Sequence, residues 1–357
     1  MRLAKDIADL KPEYDAIVVG SGYGGGVAAS RLARTGLRVA VLERGREFAV
    51  GEFPDTLPEA QVQLQASAGP AHTGRRTGLY DLRLGRDIHV LVGCGLGGGS
   101  LINANVSLPP DPRVFEDPVW PDALTDAGLA EGFERAKRML RPTPYPGKVP
   151  LEKLARLDEQ AKALGHAPSR PPINVAFDAG PNAANVVQPA CTLCGDCCSG
   201  CNVGAKTTVQ MTYLPDAVNH GAEIFTEVSV HHVKKLGSGA ETRWQVFYAP
   251  TDDAVGGFRQ IERAITARIV VLSAGSLGST EILLRSQQLG LSVSHRLGSR
   301  FTGNGDVLAF GYNNERPFNA VGIGHPPKRG VAAPGPCIAG AIDLRDASDV
   351  EAGMIIE

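Results

Sequence analysis

The feature that most constrains this chain is a glycine turn set between a strand and a helix. Tyr14 to Gly20 reads Tyr-Asp-Ala-Ile-Val-Val-Gly, a short β-branched apolar run of the kind found in buried parallel strands. Gly20, Gly22 and Gly25 follow at G-x-G-x-x-G spacing. From Gly26 the pattern turns helical, with Val27, Ala28, Leu32 and Ala33 on the apolar face and Gly36 as the helix stop. Leu37 to Leu42 is a second apolar strand, and Glu43 follows it, 18 residues beyond Gly25. In such a unit the first glycine permits the tight turn, the second lets backbone approach a pyrophosphate, and the third lets helix and strand pack closely. The helix N-terminus offers free N–H groups and a positive dipole end to the phosphates. The acid accepts hydrogen bonds from a ribose, and its charge disfavours a 2′-phosphate. This context points to an α/β, Rossmann-like dinucleotide-binding domain. The competing reading is a glycine-rich turn with no ligand.

A second glycine cluster follows a strand-like run from Asp87 to Val92. It reads Gly93-Cys94-Gly95-Leu96-Gly97-Gly98-Gly99-Ser100-Leu101-Ile102-Asn103-Ala104-Asn105. Five glycines in seven residues are costly in chain entropy, and they suit a place where backbone passes very close to a flat or charged ligand. A flexible linker is the bland reading, and the apolar residues on both sides argue against it.

These two clusters, with Glu43-Arg44-Gly45, resemble the glucose–methanol–choline (GMC) flavoprotein oxidoreductases, and within them the bacterial cholesterol-oxidase-like branch. Phe115, Pro118, Trp120 and Pro121 resemble the segment that follows in that branch. Ala267 to Ser286, a strand, a glycine turn and a helix, resembles the family's second signature, and Asn304-Gly305-Asp306 also fits. The resemblance implies FAD rather than NAD. It implies that Gly20, Gly22 and Gly25 hold the pyrophosphate and Glu43, followed by Arg44, the adenosine ribose. Gly97 to Asn103, with Gly98 and Ser100 among them, would line the isoalloxazine ring, and Gly93 and Asn105 are further expected cofactor contacts. Val230 would meet the adenine through its backbone, and Ala274 and Gly275 would complete the pocket. Some members attach the flavin to a His just before the Asn of the glycine cluster. Ile102 stands there, so the expected FAD is non-covalent.

Residues 191–201 read Cys-Thr-Leu-Cys-Gly-Asp-Cys-Cys-Ser-Gly-Cys. Cys191, Cys194, Cys197 and Cys201 have the C-x2-C-x2-C-x3-C spacing of bacterial ferredoxins, but Asn202 stands where a Pro normally follows. Three readings stay open: an iron–sulfur cluster, a structural zinc, or metal-free cysteines. Some GMC relatives carry an iron–sulfur cluster that drains electrons from the flavin, and Gly204-Ala205-Lys206 resembles the continuation of the Cys-rich motif in the branch. Cys198 is a spare, and lone Cys94 and Cys337 read as simple buried residues.

Composition narrows the classes further. Lys plus Arg number 36 against 38 Asp plus Glu, a balance unlike the basic excess of nucleic-acid binders. Hydrophobic residues make up 43%, ample for a core, yet no apolar run reaches the ~18 residues of a membrane helix. Charges at Arg2, Lys5, Asp6 and Asp9 break any signal-peptide core, which makes the cytoplasm the default compartment. The nine prolines of residues 109–150 predict a surface loop with a short helix near Leu129 to Leu140. Residues 151–165 read as a helix, 166–190 as irregular, and 221–272 as strands turning at Gly237-Ser238-Gly239 and Gly256-Gly257.

The expected organisation is a discontinuous FAD-binding domain from residues 1–115 and 202–315. Residues 116–190 and 316–357 would form parts of a smaller, incomplete α+β substrate domain, and 191–201 a Cys-rich loop. Gly353 to Glu357 reads as an apolar strand, and the family's catalytic His is expected beyond it. No histidine here offers a substitute: His231, His232 and His325 read as surface or core residues. The expected function is FAD-dependent oxidation of a CH–OH group of a small-molecule alcohol, a sterol or another hydrophobic alcohol by family analogy, with electrons passed to an acceptor. The alternatives are an FAD/iron–sulfur electron-transfer or split-enzyme subunit that needs a C-terminal complementing chain, an NAD enzyme, and a fragment that does not fold alone.

Overall fold

The computed structural model describes residues 2–121, 124, 126–251, 262–309, 311, 313, 315–316, 318–322, 324, 332–346 and 348–357. Gly256-Gly257 and His325 lie outside them. The chain begins with β1 (Ala4–Lys5), β2 (Glu13–Val19), α1 (Tyr23–Arg34) and β3 (Val39–Leu42). Next come α2 (Leu57–Val62), β4 (Leu64–Ala68), β5 (Ala71–Thr73), β6 (Tyr80–Leu84) and β7 (His89–Gly93). The middle holds α3 (Asp126–Leu140), α4 (Glu152–Ala163), β8 (Gly180–Pro181) and β9 (Val187–Gln188). Then follow α5 (Tyr213–Asn219), β10 (Glu223–Phe225), β11 (Val228–Leu236), β12 (Arg243–Pro250), β13 (Arg263–Leu272), α6 (Gly275–Gln288), β14 (Ile342–Asp343) and β15 (Ile355–Ile356).

These elements gather into two compact units. The first comprises Met1–Ala49, Pro58–Leu101 and Tyr213–Asn314. Among its described residues, seven strands form a sheet in the order β1-β10-β3-β2-β13-β12-β11. The first five run parallel, and β12 and β11 close the edge antiparallel. From Ala16 to Val19, strand β2 is apolar without alternation because both its faces are covered there; Ala16, Ile17 and Val18 are completely buried. Its core joins Tyr14, Ile17, Val19, Leu42, Phe225, Val246 and Ile282. A second sheet, β5-β4-β6-β7, belongs to the same unit.

Helix α1 departs from the sequence pattern. It begins at Tyr23, three residues before the expected start, and it buries Gly25, Gly26, Ala29, Ser30 and Ala33. Val27, expected on the apolar face, is exposed. The buried stripe is made of small residues because α1 lies close against the backbone of β2: a Cβ on Gly25 would collide with the Gly20 carbonyl oxygen. On α5, buried Asp216 accepts hydrogen bonds from Ser30 Oγ at 2.6 Å and Arg34 Nε at 2.9 Å.

The second unit comprises Val50–Leu57, Ile102–Thr212 and Glu315–Glu357. It holds α3, α4 and the short pairs β8-β9 and β14-β15, around a small core of Tyr145, Leu151, Leu154 and Ala339. The short helix expected near Leu129 is the fifteen-residue α3. The apolar Ile355-Ile356 pairs antiparallel with Ile342-Asp343.

Candidate functional site

The first unit contains a cleft of about 480 Å³ at the carboxyl ends of β2, β3 and β13. Its floor is the first glycine turn, with Gly20 and Gly22, facing the N-terminal turn of α6 with Ala274 and Gly275. Glu43 and Arg44 line it at the end of β3, Gly93 and Gly98 from the second glycine cluster, and Val230 from β11. Nine of the fourteen residues expected at the cofactor thus surround one opening. Gly25 and Ser100 support it from outside: Gly25 seats α1, and Ser100 Oγ, fully buried, donates to Gly97 O at 2.7 Å. Gly97 itself is bound through its N–H to Ser21 Oγ at 3.0 Å. Asn103 and Asn105 belong to the second unit. There the carbonyl of Asn103 accepts from Lys206 Nζ at 2.7 Å, while both polar side-chain atoms of buried Asn105 lack a protein partner.

The geometry suits a diphosphate. Neither helix is capped by a side chain at this end, because Gly22 and Ala274 hold the N-cap positions of α1 and α6. Tyr23 and Gly24 of α1 and Ser276 and Leu277 of α6 line the opening, so the positive dipole ends of both helices lie at it. A Cβ built on Gly22 meets nothing within 4 Å, so that glycine keeps ligand space open. Gly98 plays another part. It has φ +56°, and an added Cβ would come within 2.9 Å of Gly22 Cα, so the second cluster can lie on the first only with glycine there.

Glu43 has a structural task as well. Its carboxylate, 7% exposed, accepts Ser21 N–H at 3.0 Å, Ser21 O–H at 2.7 Å and Gly45 N–H at 2.7 Å. With Ser21 passing the chain on to Gly97, one buried network ties the end of β3 to both glycine clusters. A carboxylate has about four lone-pair sites, so one remains for a further donor. Sequence reasoning missed Asp81, Arg83 and Glu281, which also line the cleft. Asp81 is completely buried and pairs with Arg44 and Arg83. Its signal was a carboxylate at the inward position of the half-buried strand β6. Cys94 lines the cleft too, and burial pushes its thiol up to about 12, which keeps it protonated and inert. Among the described residues, no histidine lines this cleft.

A sequence profile described as GMC oxidoreductase matches residues 14–303. The chain belongs to the GMC oxidoreductase family. A cholesterol oxidase of Acinetobacter baumannii is 29% identical over 314 residues, covering 83% of this chain and 55% of that protein. A cholesterol oxidase of Mycobacterium tuberculosis is 31% identical over 312 residues, 81% of this chain and 51% of that protein. A long-chain-alcohol oxidase of Arabidopsis thaliana is 29% identical over 290 residues, 80% of this chain and 36% of that protein. The chain thus spans about half the length of the cholesterol oxidases it matches.

GMC proteins bind FAD, and the glycine cradle with its two uncapped helix ends fits that group. Among the described residues, no group of three or more His, Cys, Asp or Glu side chains is placed to hold a metal ion, so the expectation of iron–sulfur or zinc at Cys191, Cys194, Cys197 and Cys201 finds no support here. Burial pushes Cys191 up to about 12 and raises Cys194, and Cys194, Cys197 and Cys201 lie near enough to Cys191 to raise it further. A hydrogen bond with Cys337, then burial, raises Cys197. Cys337, expected to be a simple buried residue, instead lies against the loop, with its Sγ 3.5 Å from Cys198 Sγ. Among the described residues, no helix is long and apolar enough to cross a membrane.

Proposed function

We propose that this chain captures FAD non-covalently in the cleft of its first unit and serves FAD-dependent oxidation of an alcohol CH–OH group. The observation that carries the reading is the uncapped N-terminus of α1, opening at Gly22 onto a cleft lined by both glycine clusters. The backbone N–H groups at Tyr23 and Gly24 would hold the diphosphate, and the remaining acceptor site on Glu43 would take a ribose hydroxyl. Val230 and Ala274 would flank the rings. Bound FAD supplies the hydride acceptor for the alcohol carbon. The protein's task there is to fix that acceptor and keep the glycine-cluster backbone rigid around it, which the Glu43–Ser21–Gly97 network does. A hydrophobic alcohol, sterol or long-chain, is the substrate class, by analogy with the cholesterol and long-chain-alcohol oxidases.

The test is anaerobic mixing of the FAD-loaded chain with a 3β-hydroxysterol and, separately, with a long-chain primary alcohol. Loss of the visible flavin absorption with either alcohol supports the reading, and the preferred alcohol names the class. Unchanged absorption with both, in a chain that demonstrably holds FAD, rejects alcohol oxidation by this chain.

A further inference from the structure

The second unit brings together two thiols that the flavin cleft does not use. Cys198 Sγ and Cys337 Sγ lie 3.5 Å apart, although 139 residues separate them in the chain. Backbone contacts hold the segment around Cys337 onto the loop around Cys198. Gly335 N–H donates to Leu193 O at 3.0 Å, and Gly324 N–H donates to the Asp196 carboxylate at 2.7 Å. Cys337 Sγ itself donates to Gly195 O at 3.5 Å. Lys153 Nζ holds the carbonyls of Pro336 and Cys337, and buried Lys206 Nζ donates to Cys197 O at 3.0 Å. Both backbones are therefore pinned where the sulfurs meet. Cys198 is exposed and Cys337 half-buried.

We propose that Cys198 and Cys337 are a redox modification site that closes to a disulfide with a peroxide as oxidant. A disulfide has sulfurs about 2.05 Å apart, so closure needs an approach of roughly 1.5 Å, within the reach of side-chain rotation. The neighbouring Cys197 is a poorer partner for Cys198. Adjacent Cα atoms are about 3.8 Å apart, below the usual ~4.4–6.8 Å of a disulfide. In the first step the exposed Cys198 sulfur attacks one peroxide oxygen. The S–O bond forms, the O–O bond breaks, and the thiol proton leaves with the other oxygen as water or an alcohol. Cys337 sulfur then attacks Cys198 sulfur, and the hydroxyl leaves as water with the Cys337 proton. Two thiols lose two electrons and two protons, and the peroxide gains them. A dithiol reverses the bond and is itself oxidised to its disulfide.

The bond would clamp the segment around Cys337 to the Cys-rich loop by a 139-residue loop closure. The decisive experiment treats the fully reduced 357-residue chain with one equivalent of hydrogen peroxide, blocks the remaining thiols by alkylation and maps the peptides. The expected result is a Cys198–Cys337 linked peptide, a fall of two in the seven free thiols, and restoration of both by dithiothreitol. Cys197→Ser retains the link, whereas Cys337→Ser leaves a sulfenic acid on Cys198 that dimedone traps. A Cys197–Cys337 link, an unchanged thiol count, or over-oxidation of Cys198 with Cys337 still free overturns the proposal. So does iron or zinc bound through Cys198 or Cys337 in anaerobically purified protein. Mapping the unsubstituted chain decides the matter even where a variant does not fold.

Discussion

At the scale of single residues, two carboxylates carry more than their positions suggest. Glu43 accepts three donors in a buried setting, so Glu43→Gln would turn an amide N–H toward one of them. An unsatisfied buried donor costs about 1–3 kcal/mol, and urea unfolding of the variant should show a loss in that range. Glu223 offers a pH test. Burial raises its carboxyl, but hydrogen bonds from Lys5, Lys11 and Tyr14 outweigh that and hold it down at about 2. A depressed carboxylate stabilises the fold above its unfolded value near 4.5 and loses that contribution as pH falls toward 2. Because Lys5 and Lys11 are about half exposed, solvent screening leaves roughly 1 kcal/mol of the effect. Glu223→Gln should therefore lower stability at pH 7 by that amount and flatten the acid limb between these pH values, as read by melting across pH.

At the scale of elements, the strand–turn–helix–strand unit was legible because glycine spacing and unbroken apolar strands leave few alternatives. The helix face was legible only in part, at Ala33. Val27 and Leu32 drew attention as bulky apolar residues, yet α1 packs through Gly25, Gly26, Ala29 and Ala33, since close approach to a backbone selects small side chains over large ones. Gly25→Ala should move the start of α1 and weaken FAD binding at least about tenfold, whereas Gly36→Ala, past the end of the same helix with φ +81° and open space around it, should cost only about 1 kcal/mol of stability and leave binding intact. Flavin titration and melting of the two variants check the contrast. The members of the site drawn from distant elements were illegible for a different reason. Nothing local in Asp81 or Glu281 announces a shared cleft, and nothing local in Cys337 announces the Cys198 sulfur. The ferredoxin-like spacing is a local pattern, and among the described residues no group of three or more side chains placed to hold a metal ion adds support to it.

At the scale of the whole molecule, the chain holds two discontinuous units, and the cofactor reading concerns the first. A ligand that binds only the folded state stabilises it by about 2.7 kcal/mol at 100 times its dissociation constant. Melting of the chain should accordingly rise with added FAD and not with added NAD. The measurement that tests the account most directly is equilibrium binding of FAD to the unsubstituted chain and to Gly22→Glu, followed by flavin fluorescence. A Cβ at Gly22 meets open space, so the branch point of the new side chain is accommodated, and its carboxylate puts a negative charge where the diphosphate would lie. The account predicts one FAD per chain for the unsubstituted protein. For the variant it predicts an affinity lower by at least about 100-fold, with unchanged melting in the absence of FAD. No FAD binding by the unsubstituted chain, or equal binding by both, would contradict it.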